Sequence, residues 1–211
     1  EDFIVDPIQG GAGTSLNMNA NEVIANRAIE LLGGNKGDYS IINPNDDVNC
    51  SQSTNDVIPT AGKMTSLRLL KNLKHELLQL HGALCKKAEE FNDVIKMGRT
   101  QLQDAVPIRL GQEFRAYSVA IMRDIHRMEK AMGEMRTLNL GGTAVGTGLN
   151  ADEAYLHRIV PILSEVSDMD LAQAYDLIDA TQNLDVFVAV SGAVKACAVT
   201  LSKIANDLRL M

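Results

Sequence analysis

Apolar residues at steps of three and four run through long stretches of the chain, and this spacing constrains the fold most strongly. The stretch 57–91 includes Leu70 and Leu77, which fall on one face of a single long helix. A second long helix is predicted after a loop at 92–108, and a third at 183–209. Alternating strand patterns are hard to find. The chain is therefore predicted to be all-α, as a bundle of long antiparallel helices.

Shorter elements fill the rest of the chain. A short helix is predicted to close at Gly33 and Gly34, before an irregular stretch that is rich in Asn, Asp and Gly. Helix 151–165 is interrupted by Pro161, and residues 169–180 suit a further short helix. Proline in a helix interior removes a hydrogen bond, so Pro59 is expected in the first turn of the long helix or at a kink.

Composition excludes some function classes. The net charge is −7, from 20 basic and 27 acidic residues, and the basic residues form no cluster. That charge distribution argues against nucleic acid as a partner. The cysteines, Cys50, Cys85 and Cys197, are odd in number and widely spaced. They suit a reducing cytoplasm better than a disulfide framework, so a cytoplasmic protein is predicted.

The ends of the chain and its apolar runs bear on membrane contact and assembly. The chain begins with acidic residues where a signal peptide would be basic, and the apolar run 186–200 is short and carries Lys195. No membrane partner is therefore expected. The chain begins and ends in the middle of a sequence pattern, so it is predicted to be a piece of a longer protein. Long helices in so short a piece cannot cover one another, so we expect partner chains to cover their apolar faces.

Three polar loops, 10–21, 49–56 and 98–104, concentrate side chains that form hydrogen bonds. The loop 49–56 directly precedes the long helix, so its hydroxyl and amide groups suit either an elaborate helix cap or an anion site at the positive helix end. Each loop contains Thr and adds Asn or Gln. Neutral donors of this kind suit a small carboxylate whose charge shifts during a reaction. The loops together predict a carboxylate site between long helices.

The remaining motifs do not indicate a nucleotide, metal or cofactor site. The glycines at 11–13 follow no strand, and the glycine-rich segment 141–148 lacks the lysine of a phosphate loop. The four histidines have no metal-ligand spacing, so no metal and no cofactor are predicted. Arg99 is expected to pair with Asp104 inside its loop rather than to meet substrate. The residues alone predict an oligomeric helical protein with a carboxylate site. They do not identify a reaction.

Four linked motifs carry a resemblance to a known family. They are Gly11 to Asn19, Ser51 to Asp56, Gly98 to Ala105 with Gly111 to Phe114, and Gly142 to Asn150. In order, spacing and intervening helices the chain resembles the aspartase/fumarase superfamily over nearly its whole length. The resemblance implies that superfamily's long helix bundle, present here incompletely. It implies the remainder of an N-terminal domain at 1–55 and a truncated central bundle at 56–211.

Within the superfamily the chain is more similar to the aspartase branch than to the fumarase branch. Fumarases typically carry Ser at the place of Ala12, Gln at Ser15, Ser at Thr54, His at Gln101 and His at Asn43. The resemblance therefore implies reversible removal of ammonia from L-aspartate to give fumarate, through an aci-carboxylate intermediate. Fumarate hydration and a non-catalytic helical scaffold remain the alternatives.

The resemblance also implies roles for particular residues. Thr14, Ser53 and Thr54 are expected to hold the β-carboxylate of the substrate. Asn55 and Gln101 are expected to face its amino group. Thr100 is expected at the α-carboxylate, Asn17 at the pocket wall, and Asp56 as the capping residue.

Parts of the family's active site are not found in these 211 residues. The general base of the family is a serine on a flexible Gly-Ser-Ser loop, which is expected beyond residue 211, and a substrate-binding arginine is expected before residue 1. The family is usually tetrameric, with each site built by three chains. The resemblance thus implies a homotetramer, and a 211-residue piece that is inactive alone.

Overall fold

The computed structural model describes residues 2–8 and 11–211, and it is mostly helical, which confirms the predicted all-α class. Short strands accompany the helices in two small sheets. The elements in chain order are α1 (Thr14–Leu31), a π-helical turn (Pro44–Val48), α2 (Thr54–Glu90), β1 (Ile95–Thr100), β2 (Gln103–Arg109), α3 (Leu110–Met135), β3 (Thr137–Leu138), α4 (Glu153–Ser167), β4 (Ala172–Gln173), α5 (Leu177–Gln182) and α6 (Asp185–Leu210). The long helices lie within a few residues of their predicted positions. Of the stretch 169–180, only the last residues are helical, in α5.

The segment 92–108, predicted as a loop, forms most of an antiparallel hairpin of β1 and β2. A two-residue turn joins the strands, and both of its residues, Gln101 and Leu102, have positive φ angles of 50° and 64°. Most residues of the two strands are exposed and none is buried, so neither strand has the buried alternate face that marks a strand in a sequence. The turn also lacks the Asn-Gly pair that usually indicates a hairpin.

The chain divides into two compact units, and the division falls inside α2. The first unit comprises Glu1–Thr65 and Arg136–Leu184, and the second comprises Ser66–Met135 and Asp185–Met211. The predicted boundary between the N-terminal domain and the central bundle, at residues 55 and 56, refers to the fold of the longer protein. It stays a prediction.

The second unit has an apolar core formed by α2, α3 and α6. The predicted face of α2 is confirmed, because Leu70, Leu77 and Leu84 are all buried. On α3, Met128, Met132 and Met135 recur at steps of three and four, which predicts a core stripe. Met128 and Met135 are fully buried. The buried core cluster comprises Leu70, Leu77, Leu84, Tyr117, Ile121, Ile125, Met128, Cys197 and Ile204. Within each helix these buried residues are one or two helical turns apart, as the sequence pattern predicts.

Within the part of the chain that the structure describes, helix α6 is covered on one side only. It packs on α3 and buries Val186, Cys197 and Ile204. Other apolar side chains of α6 remain open, including Val188 and Val199, which are 72% and 64% exposed. The sequence 183–209 is apolar nearly all round and rich in small residues, which predicts a central helix with close neighbours. Among the described residues, the neighbours of α6 cover a single face.

By length and composition alone, α6 is the one helix of the described residues that is apolar enough to cross a membrane, with a mean hydropathy of 1.5. The apolar run 186–200 is only part of this helix, which has 26 residues. One such helix is weak evidence for a membrane, because the core helix of a soluble protein passes the same test.

Tyr117 of α3 and Asp207 of α6 form a polar link at the edge of this core. The Tyr117 hydroxyl donates to Asp207 Oδ2 at 2.9 Å, and the Lys203 ammonium donates to the same oxygen. Burial raises the pKa of Asp207, the hydrogen bonds from Lys203 and Tyr117 lower it, and the net direction is downward. Because the pKa of Asp207 is lowered in the folded protein, its ionised carboxylate stabilises the fold at pH values above the ordinary pKa of an aspartate. That stabilisation is lost as the pH falls through the folded-state pKa.

Tyr117→Phe is expected to lower the free energy of unfolding at pH 7 by about 1–2 kcal/mol, because it removes a hydrogen bond to a charged carboxylate. The deficit should be smaller at an acidic pH below the lowered pKa of Asp207, where this carboxyl is protonated in the folded protein. Urea unfolding at both pH values measures it. Tyr175 is fully exposed and provides the control, since Tyr175→Phe should change stability at neither pH. A deficit for Tyr117→Phe that is equally large in acid would contradict this account.

The first unit has its own small core. Ala25 and Ile29 of α1 are fully buried, as is Leu138 of β3. The predicted end of α1 is confirmed at Gly33, whose φ angle is +82°. Gly33 N–H and Gly34 N–H bond the carbonyls of Glu30 and Ile29, the pattern by which glycine terminates helices.

Candidate functional site

The predicted site residues fall in both units. Thr14, Asn17, Ser53, Thr54 and Asn55 belong to the first unit, at the starts of α1 and α2. Thr100 and Gln101 belong to the second unit, at the tip of the hairpin. Both of these are exposed, and Gln101 has a left-handed backbone.

A buried amide cluster joins α1 to the start of α2. Asn17 is 4% exposed, and its Nδ2 donates to Thr54 Oγ1 at 3.1 Å and to Asn49 Oδ1 at 3.2 Å. Asn21 Nδ2 donates to the same Asn49 oxygen at 3.0 Å. Two predicted site residues, Asn17 and Thr54, are thereby brought into direct contact. The cluster fixes the position of the Thr54 hydroxyl oxygen.

Ser53 and Asp56 cap the N-terminus of α2 reciprocally. Ser53 Oγ accepts from the backbone N–H of Asn55 at 3.2 Å, and Asp56 Oδ1 accepts from the backbone N–H of Ser53 at 3.0 Å. The arrangement resembles a capping box with aspartate at its fourth position, except that the Ser53 hydroxyl accepts from the second helical residue and not from the third. The expected capping role of Asp56 is confirmed, and Ser53 has a capping role as well.

The second oxygen of Asp56 binds the glycine-rich segment that follows β3. Asp56 Oδ2 accepts backbone N–H groups from Gly141 at 3.2 Å and Thr143 at 3.0 Å. The side chain is fully buried, and burial raises the pKa of the Asp56 carboxyl against the opposing effect of its backbone N–H bonds. One carboxylate therefore holds both the helix start and the turn 141–143 in place.

Asn55 lies on the same turn and is exposed. Its Nδ2 donates to the Ala144 carbonyl at 2.7 Å. Its own carbonyl accepts from Asn139 Nδ2 at 2.9 Å. Pro59 lies in the interior of α2, beyond the first turn, and has no backbone N–H group. The Asn55 carbonyl, four residues earlier, therefore lacks its usual partner in the helix. Asn139 therefore supplies the hydrogen bond that the proline removes, and it does so beside a predicted site residue.

Thr14 opens α1 directly after Gly13, and its side chain is exposed. Gly13 has a φ angle of +87°, and a Cβ atom there would lie 2.9 Å from the Ile58 side chain of α2. Glycine is required by both the backbone conformation and the close approach. The start of α1 thus lies against the first turns of α2, and Thr14 is held at that junction.

Tyr155 of α4 lies close to this region without having been predicted. Burial first, and then the charges of Asp56 and Cys50, raise the pKa of Tyr155 to about 12. Its phenol therefore stays protonated at neutral pH. Cys50 has no histidine near it in the sequence, which predicts a packed bystander. That prediction is wrong about its packing, because Cys50 is exposed.

Among the described residues, no group of three or more His, Cys, Asp or Glu side chains is arranged to hold a metal ion. Arg99 and Asp104 form the expected pair across β1 and β2, with Arg99 Nε 3.1 Å from Asp104 Oδ1. The interpretation of Arg99 as a structural residue is thereby supported.

Sequence reasoning missed the residues that position the others. Asn49, Asn21 and Asn139 hold predicted residues in place, and none of the three was named as a candidate. Asn139 is marked in the sequence, because it is a polar residue between Leu138 and Leu140 and lies two residues before the glycine pair at 141 and 142. Asn49 opens the polar segment 49–56, but nothing in the sequence indicates that two other amides converge on it.

The chain as a whole is similar to known proteins. A family model described as "Lyase" matches residues 1–211. The chain is 56% identical over 211 residues to an aspartate ammonia-lyase of Bacillus subtilis, covering all of this chain and 44% of that protein. It is 53% identical to an aspartate ammonia-lyase of Helicobacter pylori, covering all of this chain and 45% of that protein. The chain thus spans less than half the length of these relatives.

Solved structures show the same similarity in three dimensions. The fold matches a structure titled fumarate lyase:delta crystallin from Brucella melitensis with a TM-score of 0.95 and 53% identity, over 99% of this chain and 45% of that one. It also matches a class II fumarase from Schistosoma mansoni with a TM-score of 0.86 and 33% identity, over 93% of this chain and 44% of that one. The predicted helix-bundle fold is confirmed.

Proposed function

Because the chain belongs to the lyase family whose model matches all of its residues, we propose that the whole protein removes ammonia from L-aspartate to give fumarate. The observation that carries this proposal is the identity of 49–57% to several aspartate ammonia-lyases along the entire chain. Identity to the matched fumarase is 33%. The aspartase-type residues at Ala12, Thr54 and Gln101 favour the same reaction over hydration.

The proposed mechanism develops negative charge on the β-carboxylate. A base removes the proton next to that carboxylate, an aci-carboxylate forms, and ammonia then leaves. Catalysis therefore depends on hydrogen-bond donors that are already aimed at the developing charge. We assign this role to Thr14, Ser53 and Thr54, and we expect the base to be a serine beyond residue 211.

The hydrogen bonds of Thr54 and Ser53 support their assignment as donors. Thr54 Oγ1 accepts from Asn17 Nδ2, and Ser53 Oγ accepts from the backbone N–H of Asn55. A hydroxyl that accepts a hydrogen bond still has its own hydrogen to donate. Both hydroxyl oxygens are thus held by a neighbour while their hydrogens are free to turn toward a carboxylate. Such preorganisation is what stabilisation of a developing charge requires.

The orientation of Asn55 supports contact with the substrate's amino group. A carbonyl oxygen can only accept, so the amide nitrogen of Asn55 must face the Ala144 carbonyl. The amide oxygen is then the atom left for a ligand, and an ammonium group is a donor. Gln101 and Thr100 complete the proposal, at the amino group and the α-carboxylate respectively, with Asn17 at the pocket wall.

The open apolar surface of α6 supports the proposed assembly. Val188, Val199 and other side chains of this helix lie uncovered within the chain. We propose that the whole protein is a cytoplasmic homotetramer whose active sites are shared between chains. The 211-residue chain alone, without the expected base, should be inactive.

Reverse turnover separates this function from its alternatives. The whole protein is incubated with fumarate and ammonium, and separately with fumarate in water, and products are followed by nuclear magnetic resonance. We expect aspartate in the first mixture and no malate in the second. Malate at a comparable rate would identify a fumarate hydratase, and no product in either mixture would identify a scaffold. The 211-residue chain serves as the control, which should form neither product.

A further inference from the structure

A groove of about 950 Å³ in the second unit holds a cysteine–histidine pair that the proposed reaction does not use. His81 and Cys85 lie one turn apart on α2, and both line the groove. Cys85 Sγ is 3.6 Å from His81 Nε2, within hydrogen-bonding distance for sulfur. Both side chains are partly exposed, so the pair is accessible to a small molecule.

The backbone of α3 determines which ring nitrogen of His81 carries the proton. His81 Nδ1 is 3.0 Å from the carbonyl oxygen of Ser118, and a carbonyl only accepts. Nδ1 therefore carries the hydrogen, and in the neutral ring the lone pair of Nε2 faces Cys85. His81 is thus oriented to take the thiol proton, which leaves the nucleophilic thiolate.

Cationic side chains line the same groove. Arg109 and Arg115 contribute two positive charges, and Glu89 contributes one negative charge. Arg109 Nη1 is held by Asn92 Oδ1 at 3.2 Å. Within the described chain neither arginine is in a salt bridge. Guanidinium groups pair with carboxylates in bidentate geometry, so the groove suits an anionic molecule with carboxylate groups.

We propose that Cys85 is a covalent binding site for an α,β-unsaturated dicarboxylate such as fumarate. A dianionic alkene is normally a poor target for a thiolate, because like charges repel. The two arginines offset that repulsion in this groove. The inference rests on the proposed function only for the source of fumarate, and the chemistry of the site stands on the groove itself.

The addition needs no oxidant or reductant. The Cys85 proton moves to His81 Nε2, and a lone pair of Sγ forms a bond to one alkene carbon. The π electrons move to the other alkene carbon, which then takes the proton from His81. The product is a thioether that joins Cys85 to a saturated dicarboxylate, and His81 returns to its neutral form.

Labelling with added fumarate tests the site without any turnover. The purified chain is incubated with fumarate near neutral pH, and intact mass and peptide mapping locate the adduct. We expect the mass of one fumarate on Cys85, formed at least about tenfold faster than on the exposed Cys50. His81→Gln should slow labelling about tenfold, and Cys50→Ser should leave it unchanged. Because fumarate is supplied, the absence of lyase activity would not affect this result.

Dimethyl fumarate, which has the same alkene without the charges, separates thiol reactivity from dicarboxylate recognition. Arg115→Gln lies on an exposed position and should slow labelling by fumarate severalfold while leaving labelling by dimethyl fumarate unchanged. Circular dichroism confirms that each variant is folded. The proposal is overturned if fumarate forms no adduct, if it labels Cys50 first, or if folded His81→Gln or Arg115→Gln reacts with fumarate at the wild-type rate.

Discussion

Replacement of Thr54 by alanine is expected to lower kcat of the whole protein about a hundredfold or more, equivalent to about 3 kcal/mol of transition-state stabilisation. The Thr54 hydroxyl is held by Asn17 at 3.1 Å and has its hydrogen free for the β-carboxylate. The charge on that carboxylate grows only as the reaction proceeds. The loss should therefore fall on kcat more than on KM for aspartate.

Thr54→Ser provides the matched control, because it keeps the hydroxyl and removes only a methyl group. Its turnover should remain within about tenfold of wild type, and both variants should unfold at similar urea concentrations. Steady-state kinetics with L-aspartate measures the effect. If folded Thr54→Ala keeps the wild-type kcat, Thr54 has no role in stabilising the intermediate.

Asp56→Ala is expected to lower the free energy of unfolding by about 3 kcal/mol or more. The buried carboxylate accepts backbone N–H groups of Ser53, Gly141 and Thr143, and alanine would leave all three without this partner. Each buried donor left unpaired costs about 1–3 kcal/mol. The loss of one side chain would release both the start of α2 and the turn 141–143.

Asp152 supplies the control for this prediction. It caps α4 by accepting from the backbone N–H groups of Ala154 and Tyr155, and it is exposed. Asp152→Ala should therefore cost about 1 kcal/mol, the usual value of a surface cap. Urea unfolding of the 211-residue chain measures both variants. Equal losses at Asp56 and Asp152 would show that Asp56 is only a helix cap.

The long helices were predictable because their cores repeat at helical spacing. Leu70, Leu77 and Leu84 are seven residues apart, and all three are buried. The hairpin could not be predicted in the same way, because none of its strand residues is buried and the half-buried positions of β1 are Lys96 and Gly98, which are not large apolar residues. Its turn at Gln101 and Leu102 uses positive φ angles without glycine.

The chemistry of the candidate site was predictable from residue types, whereas its internal support was not. Polar residues at 49–56 indicated a cap or an anion site, and Ser53 is a cap whose hydroxyl hydrogen is still free. The contact of Asn17 with Thr54 joins residues far apart in sequence. The bond from Asn139 to the Asn55 carbonyl compensates for Pro59, and such compensation becomes visible only when the segments are packed together.

The forward reaction tests the central claim most directly. The whole protein is incubated with L-aspartate, and fumarate and ammonium are measured in the same sample over time. The proposed function predicts that both form in equal amounts, and that the Thr54→Ala variant forms them about a hundredfold more slowly. A folded protein that forms neither fumarate nor ammonium from L-aspartate, yet converts fumarate to malate, would contradict it.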